Sequence, residues 1–600
     1  MMVSPTALRQ YFPWVGLAHI SLAFAGLMWS LPFLYHYHAY PLTTFYQEWG
    51  AAVLGLCAML LLATRSYWRQ PEIPHIVLLP IGLMLLVLMQ FALGKVAYPG
   101  QALLVTLYLL WAALLIMLGR QLREQLGLPA LATTLAAFLL LGAELNALIG
   151  VLQHYRWNTF LNTVVDVKTS TFVYGNLAQP NHFADYIALG LISLGLLRVH
   201  WRMRIWQVAL LAVPLLFVLV LSGSRSPWFY LLSMAGVAFL WQRRDKSSLP
   251  LLHYSLLLVL GFGLMNFVVQ LPWLAAEDSS SITAVGSLIA KAGGDSVRLH
   301  IWREAWLIFT QFPLLGAGFG QFAWQHFQLG PVLHDTNNIG LWNNAHSLVM
   351  QIAAEMGLAG LLILLGTLAL WFLQARSAQR TIYHWWGYSL LAVLAIHSLL
   401  EYVPWYAFFL GVAALALGMF DNTAYRLELR GVGRLSVAAI LLLGAVSMYR
   451  LYQDYRSLEV ALAERPTSAS DDVYSKRMRE GLVALYGQPL LRPYAELFMS
   501  SILKAGADHL ADRRALNERA MRFIPISPVV YSEALLLALS GEQAAAQLQM
   551  ERAIWSYPDS FQHASKELRT LAQEDPAHFA ALLEFALQKY EEHPRAVHKG

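Results

Sequence analysis

Long stretches of apolar residues follow one another along most of the chain, separated by short polar segments. A helix needs about 20 mostly apolar residues to cross the hydrocarbon core of a bilayer. Thirteen runs approach or reach this length, and they cover 15–34, 50–64, 75–94, 101–119, 130–151, 182–198, 205–221, 227–242, 251–271, 347–373, 383–400, 404–421 and 433–450. The pattern predicts an all-α, polytopic integral membrane protein, and the first run has no small-residue cleavage site before or after it, which favours a retained span over a signal peptide.

The composition of the 600-residue chain agrees with this pattern, because 58% of its residues are hydrophobic and 13% are charged. A mean hydropathy of +0.49 excludes a soluble multidomain protein and a disordered chain. The single cysteine, Cys57, lies in an apolar run and excludes a disulfide framework or a cysteine-rich metal site. The net charge of +5 comes from arginines in short clusters between the apolar runs. We interpret it as a signal of membrane topology rather than of nucleic-acid binding.

Basic residues cluster in every second connecting segment, at Arg9, Arg65/Arg69, Arg120/Arg123, Arg198/Arg202/Arg204, Arg243/Arg244/Lys246, Arg376/Arg380 and Arg426/Arg430/Arg434. Cytoplasmic loops carry the Lys/Arg excess. Thirteen spans with this alternation predict a cytoplasmic N-terminus and an external segment after about residue 451. The segments 33–49, 152–181, 222–226, 272–346 and 401–406 then also face the external side.

Composition changes after residue 450, where the chain becomes charged, rich in Ala, Leu and Glu, and interrupted by proline. We predict a transmembrane catalytic domain at 1–450, including the large loop 272–346, and a soluble helical domain at 451–600. The stretch LALSGEQAAAQLQMERAIWSYPDS has the cadence of one tetratricopeptide-like hairpin. A repeat array and a generic helical bundle both fit this domain.

The external segment TFVYGNLAQPNHFADY contains Asn176, Gln179, Asn181, His182 and Asp185, and it runs directly into an apolar helix. Asn181, after Pro180, is expected to cap that helix, which leaves first-turn amides to receive an anion. The alternative is a membrane re-entry loop whose polar residues only cap a helix end.

Arg225 lies in a short external turn, SGSRS, between two apolar helices. A charge at bilayer depth costs about 2.5–3.5 kcal/mol on insertion scales, so a lone Arg there needs a partner or a function. Snorkelling to lipid phosphate is the alternative.

The large loop contains DSVRLHIWREAWLIF, in which the spacing of Arg298, Trp302, Arg303 and Trp306 predicts a helix with an aromatic stripe flanked by two cations. The GAGFG stretch that follows resembles a nucleotide loop, but no strand precedes it, so we reject a dinucleotide site.

Two further groups of ionisable residues lie at predicted helix ends. His346, preceded by Asn343 and Asn344, lies where the loop enters the tenth span, and Glu355 lies inside that span as a functional candidate or as a group facing the bundle interior. His397 and Glu401, at i and i+4, are predicted on one helical face, where they could be ion-paired, structural or metal-binding. Metal binding is the weakest alternative because no third ligand has recognisable spacing.

Histidine, arginine and amide groups at one membrane face suit the handling of a lipid-linked pyrophosphate. Guanidinium groups match phosphate oxygens and stay charged. In a partly dry site they would stabilise the charge that develops on a pyrophosphate leaving group. A neutral histidine, with an unperturbed pKa near 6.5, could accept a proton from an attacking hydroxyl. An external-face enzyme and a transporter acting on a lipid phosphate both remain open on this reasoning.

The segments YGNLAQPNHFADYIALG, SGSRSPWF, GAGFGQFAW, NNAHSLVMQIAAEMG and HSLLEYVPWYAFFLG occur in the order of one family's motifs. The sequence resembles the bacterial protein O-oligosaccharyltransferases of the PglL/PilO type, which share a Wzy_C core with the O-antigen ligases. YHYHAYPLTTFYQEW also looks like the N-terminal region of the protein-glycosylating branch. The resemblance implies a fold of the polyprenyl-donor glycosyltransferase type (GT-C class). It also implies metal-independent transfer, with no cofactor, of a glycan from undecaprenyl diphosphate to Ser or Thr of a periplasmic or pilin protein at the bacterial inner membrane.

The resemblance also implies roles for individual residues. His346 matches the family's loop histidine, a base or an acceptor-orienting group, and Arg225 and Arg298 match the cations that bind the donor pyrophosphate. Supporting or substrate-binding roles are expected for Gln179, Asn181, His182, Arg303, Asn344, His397, Glu401, Tyr402 and Tyr406.

The chain departs from the family pattern in three places. Ala178 replaces the first Asn of Asn-Gln-Pro-Asn-His, EYVP replaces Glu-Tyr-Pro-Leu, and Ser347 follows the loop histidine where Asn is common. The shifted Pro404 puts the family geometry of Tyr402 in question.

The acceptor is the harder choice within this superfamily. O-antigen ligation to lipid A-core is the main alternative to protein glycosylation, and polymerisation of repeat units and transport are weaker ones. The N-terminal segment and the external C-terminal domain favour a protein acceptor, because a helical domain outside the membrane could dock a folded substrate.

Overall fold

The computed structural model describes residues 16–65, 67–243, 246–274, 297–335, 339–376, 380–426, 430–463 and 471–594. Arg9, Arg244 and the parts 275–296 and 336–338 of the predicted external loop lie outside the described residues. Within the described ranges the chain is helical apart from loops and two three-residue strands.

The helices of the first half are α1 (Leu17–Met28), α2 (Leu31–Leu34), α3 (Phe45–Ala58), α4 (Leu78–Ala92), α5 (Pro99–Leu126), α6 (Leu128–Tyr155), α7 (Pro180–His200), α8 (Ile205–Leu221), α9 (Ser226–Gln242) and α10 (Leu249–Val268). Those of the second half are α11 (Val297–Gln311), α12 (Phe322–Leu333), α13 (Leu348–Ala375), α14 (Ile382–Leu400), α15 (Ala407–Phe420), α16 (Arg430–Leu462), α17 (Asp471–Ala484), α18 (Arg492–Ile502), α19 (Leu510–Phe523), α20 (Ser527–Leu539), α21 (Gln543–Ser556), α22 (Phe561–Glu574) and α23 (Pro576–Glu592).

Among the described residues, nine helical stretches are long and apolar enough to cross a membrane: Leu17–Leu34, Phe45–Ala63, His75–Ala92, Pro99–Leu126, Leu128–Tyr155, Pro180–His200, Leu249–Val268, Leu348–Ala375 and Gly431–Leu462. The other four predicted runs coincide with α8, α9, α14 and α15, which are also helical. The prediction of an all-α, multi-pass membrane protein is confirmed. How many of the helices cross the bilayer, and in which direction, stays a prediction.

The chain forms two compact units. The bundle unit comprises the described residues within 1–81, 108–294 and 365–449, and the C-terminal unit comprises those within 82–107, 295–364 and 450–600. The segment after residue 450 therefore packs in one unit with loop residues and with parts of α4 and α5. The boundary between a membrane domain and a soluble external domain at residue 450 stays a prediction.

The core of the bundle unit is built around α7, whose residues from His182 to Leu197 are buried. Small residues allow neighbouring helices to approach it closely: a Cβ on Gly190 would lie 2.3 Å from the Cβ of Ala143 on α6. Close approach at small residues is the usual packing mode of membrane helices. The two strands of this unit, β1 (Glu72–Pro74) and β2 (Ala424–Arg426), pair antiparallel.

The C-terminal unit holds a separate apolar core, to which Phe327 of α12 contributes together with Val530, Met550 and Phe579 of the C-terminal helices. Successive helices pack against each other, α18 on α19, α20 on α21 and α22 on α23. Helix α12 packs on α21. The tetratricopeptide-like interpretation of the segment 537–560 stays a prediction.

Candidate active site

The start of α7 carries the first group of candidate residues in the bundle unit. Gln179, not Asn181, caps the helix: its side-chain oxygen accepts from the backbone N–H of His182 at 2.6 Å. Pro180 occupies the first helical position, where its missing N–H costs nothing. The prediction that Asn181 caps α7 is wrong, because the cap precedes the proline and Asn181 already lies in the first turn.

Asn181 instead joins three loop segments that are distant in sequence. Its amide nitrogen donates to Glu401 Oε1 at 3.0 Å, and its amide oxygen accepts from Ser224 Oγ at 2.8 Å. Ser224 and Glu401 are each 5% exposed. The contacts bring the motifs AQPNH, SGSRS and EYVP together, and Arg225, half-buried at the N-terminus of α9, directly follows Ser224.

His397 and Glu401 do not share a helical face, which corrects the i, i+4 prediction. Helix α14 ends at Leu400, and Glu401 has extended backbone angles, φ −149° and ψ −173°. His397 Nδ1 pairs with Asp185 Oδ2 of α7 at 2.5 Å, and both side chains are fully buried. A buried ionisable group inside a membrane bundle needs such a partner, so the pair ties α14 to α7.

An aromatic group continues this cluster. The ring of His182 meets the ring of Tyr406 edge to face, with centroids 4.6 Å apart, and Tyr406 stacks on Tyr402 at 5.6 Å. His182 is buried, whereas Tyr402 and Tyr406 are half-buried. The ring of His182, next to Asn181 in the chain, therefore links two tyrosine rings to this helix start.

In the C-terminal unit the predicted loop helix is present as α11. Ile301, Ala305 and Ile308 form its buried face, Arg298 is half-buried, and Arg303 is exposed. The predicted aromatic stripe is split, because Trp306 is 56% exposed while Trp302 turns inward. Trp302 donates its indole N–H to the carbonyl of Ala345 at 3.0 Å.

His346 follows this anchored residue. The N–H of Ala345 donates to Gln351 Oε1 at 2.6 Å, so both backbone groups of Ala345 are held. His346 itself has φ 47°, a left-handed conformation that non-glycine residues adopt rarely and at a cost of about 1–3 kcal/mol. Its half-buried ring lies edge to face with Trp342 at 5.6 Å, and Asn344 beside it is also half-buried. Strain of this kind persists where surrounding contacts hold the backbone, and it is typical of functional sites.

Glu355 is buried and is bonded by the stretch GAGFGQF, residues 316–322. Its carboxylate accepts from the backbone N–H of Phe322 at 3.0 Å, and its carbonyl accepts from Gly318 N–H at 3.0 Å. Gly316 has φ 70°, and a Cβ there would lie 2.1 Å from the Glu355 carbonyl carbon. These glycines therefore serve a close approach to α13, which supports the structural interpretation of Glu355.

Three contributors were not predicted: Ser224, Gln351 and His326, whose ring nitrogens contact Glu304 and the carbonyl of Gly340. Each acts through a contact with a residue distant in sequence, except Gln351, which reaches back by six positions to Ala345. The capping role of Gln179 could have been found locally, because a proline at the first helical position marks the residue before it as the cap. In the part of the chain that the structure describes, no group of three or more His, Cys, Asp or Glu residues could hold a metal ion.

Three protein-family models match the chain. Residues 173–197 match the model described as "Protein glycosylation ligase", 210–365 match "O-Antigen ligase", and 385–572 match "Virulence factor membrane-bound polymerase, C-terminal". Every candidate residue from Gln179 to Tyr406 lies in one of these segments.

A curated relative supports the same grouping. The chain is 25% identical over 453 residues to a protein of Acinetobacter baylyi described as "General O-oligosaccharyltransferase", and the match covers 73% of this chain and 76% of the relative. The resemblance to the O-oligosaccharyltransferases and O-antigen ligases is confirmed by these matches, and so is the prediction of a glycosyltransferase.

Proposed function

We propose that this protein transfers a preassembled oligosaccharide, en bloc, from undecaprenyl diphosphate to a Ser or Thr hydroxyl of a periplasmic or pilin protein. In this proposal it spans the bacterial inner membrane, with the N-terminus in the cytoplasm and both His346 and the C-terminal helices in the periplasm. The observation that carries the proposal is the geometry of His346, a half-buried imidazole on a left-handed backbone held on its N-terminal side by Trp302 and Gln351.

The proposed mechanism is a single displacement at the anomeric carbon of the donor sugar. The acceptor hydroxyl attacks this carbon, and the bond to the pyrophosphate oxygen breaks. His346 accepts or orients the hydroxyl proton, for which an imidazole is suited near neutral pH. The departing pyrophosphate gains negative charge, so fixed guanidinium groups bind the transition state better than the ground state. We assign this role to Arg298 and Arg225.

The bundle cluster supports a positioning role. Asn181 bonds to both Glu401 and Ser224, and Ser224 directly precedes Arg225 in its turn. Gln179 and His182 belong to the same helix start, and Tyr402 and Tyr406 adjoin it through the ring of His182. We propose that these groups set the orientation of Arg225 and line the donor glycan or acceptor.

The test is intact-mass analysis of periplasmic and pilin proteins from a strain that makes an undecaprenyl-linked glycan and has this chain as its only transferase. We expect a glycan-sized increment on a Ser- or Thr-containing protein, and its loss with His346→Ala. His563→Ala, a surface histidine of α22, is the matched control and should keep the increment.

The second candidate function is ligation of O-antigen to lipid A-core, which the match of residues 210–365 to the O-antigen ligase model favours. Glycan on lipid A-core, with no increment on any protein, would replace the proposed function by this one. Full protein modification by His346→Ala would remove the assigned role of the histidine while leaving the transferase activity.

A further inference from the structure

The segment that leads to His346 is fixed at a second point, Gly340, six positions before the histidine. The N–H of Gly340 donates to the carbonyl of Ser556, the last residue of α21, at 3.0 Å. Its carbonyl accepts from His326 Nε2 of α12 at 2.9 Å. Gly340 has φ 104°, which favours glycine, so this junction depends on the residue type.

His326 is bonded at both ring nitrogens. Nδ1 lies 2.6 Å from Glu304 Oε2, and His326 and Glu304 are 6% and 3% exposed. A carboxylate and a carbonyl both accept hydrogen bonds, and a neutral imidazole has only one N–H to give. An imidazolium, with an N–H on each ring nitrogen, can donate to both acceptors at once. Burial alone would lower the pKa of His326, but the bonds to Glu304 and Gly340 outweigh it and raise the pKa.

Glu304 lies on α11, the helix that also carries Trp302. One turn of α11 thus reaches both ends of the segment before His346, through Trp302 to Ala345 and through Glu304 and His326 to Gly340. Helix α21 adds the Ser556 carbonyl from the C-terminal part of the chain. Four polar contacts hold a short piece of irregular backbone on which the left-handed His346 depends.

We infer that His326 and Glu304 form a buried positioning pair which, with the α21 terminus, sets the conformation of the His346 segment. The inference rests on the proposed function for its catalytic consequence, and its structural part stands without it. The C-terminal helices then take part in the reaction by holding the segment 339–347.

The experiment is hydrogen–deuterium exchange mass spectrometry on the full-length protein in detergent, comparing wild type with His326→Gln and Glu304→Gln. Both variants keep side-chain size but remove the imidazolium–carboxylate pair. We expect amides of 339–347 to exchange about tenfold faster, as the loss of roughly one charge-assisted hydrogen bond implies. Exchange in α20 and α23 should be unchanged, and His563→Gln should match wild type throughout.

Transfer kinetics give the second readout. The Gln variants should lose about tenfold in kcat with the donor KM within about twofold, the signature of a displaced catalytic group rather than lost binding. Glu304→Asp keeps the charge and should recover part of the kcat. If 339–347 exchanges at the wild-type rate in both Gln variants, the inference is wrong. If a Gln variant also loses protection in α20 and α23, it is generally destabilised, and Glu304→Asp becomes the deciding variant. Slower exchange of 339–347 in Glu304→Asp than in Glu304→Gln supports the pair. Equal exchange of 339–347 in these two variants overturns it.

The two readouts separate the inference from the proposed function. Faster exchange of 339–347 in a protein that transfers no glycan would retain the positioning pair and remove the transferase. Wild-type exchange of 339–347 in both Gln variants of a protein that transfers glycan would remove the positioning pair and retain the transferase.

Discussion

The two groups of candidate residues are held in different ways. In the bundle unit, Asn181, Glu401 and Ser224 bond side chain to side chain, and His397 pairs with Asp185. In the C-terminal unit, Trp302, Gln351 and His326 bond to the backbone of Ala345 and Gly340, and the imidazole of His346 is left half-buried at the end of the held segment. The first arrangement makes each polar side chain part of the architecture. The second fixes the backbone that carries one half-buried imidazole.

Replacing the imidazole should therefore separate activity from stability. His346→Gln keeps a polar side chain but cannot act as a base near neutral pH, and we expect transfer to fall about 10²–10⁴-fold, the usual contribution of general acid–base catalysis. The midpoint of thermal unfolding should stay close to the wild-type value, because Trp302, Gln351 and His326 hold the backbone of the segment. A large drop in the unfolding midpoint would show that His346 is structural.

Asn181→Leu should instead lower the stability of the folded protein. It removes one hydrogen-bond partner from the buried carboxylate of Glu401 and one from the hydroxyl of Ser224, and a buried polar group that loses a partner costs about 1–3 kcal/mol. We expect a fall of about 2–4 kcal/mol in the free energy of unfolding, seen as a lower midpoint of thermal unfolding in detergent. Asn343→Leu changes an exposed asparagine in the same way and should leave the midpoint unchanged. Equal midpoints for the two variants would contradict the architectural role of Asn181.

Arg298→Lys tests the guanidinium assignment on the loop side. Lysine keeps the charge but lacks the planar fork that matches phosphate oxygens, so we expect about a tenfold loss of kcat/KM, equal to roughly 1.4 kcal/mol of transition-state stabilisation. Arg569→Lys, on the exposed surface of α22, is the matched control. Wild-type kcat/KM in Arg298→Lys would remove the bidentate part of the mechanism.

The order of the His346 segment should depend on pH. The pKa of His326 is raised by Glu304, Gly340 and Asp335 against the lowering effect of burial. A raised pKa means that the contribution of His326 is fully present below about pH 6.5, its ordinary value, and is lost as the pH rises through the raised pKa. Exchange of 339–347, corrected for the intrinsic pH dependence, should accelerate on the alkaline side. If exchange of 339–347 accelerates at alkaline pH to the same extent in His326→Gln, then His326 is not the group responsible.

The smallest expected effect concerns Ala178, which precedes the capping Gln179 and has φ 53°. A left-handed backbone costs an L-residue about 1–2 kcal/mol, and glycine or asparagine bears it more easily. Ala178→Gly should raise the stability of the bundle unit by about 0.5–1 kcal/mol after the extra entropy of glycine in the unfolded chain is subtracted. Ala130→Gly, at an exposed position within α6, should instead lower it. A lower unfolding midpoint for Ala178→Gly would contradict this account.

The local pattern of apolar residues was sufficient to predict the helices but not the contacts between them. All thirteen apolar runs are helical, and Arg298 and Trp302 lie on the helix that their spacing predicted. The i, i+4 prediction for His397 and Glu401 failed because α14 ends between them, and the buried histidine found a carboxylate on α7 instead. The Asn181–Glu401 bond and the His326–Gly340 bond join residues that no periodicity relates. The left-handed backbone at His346 comes from such contacts and was not predicted.

The most direct test of this contrast is to purify His346→Gln and Asn181→Leu side by side and measure, for each, the rate of glycan transfer from an undecaprenyl-linked donor and the midpoint of thermal unfolding. The predicted result is a His346→Gln protein that melts like wild type and transfers at most about one hundredth as fast, beside an Asn181→Leu protein with a clearly lower midpoint. Wild-type transfer by His346→Gln would contradict the central claim that the held segment exists to present this imidazole.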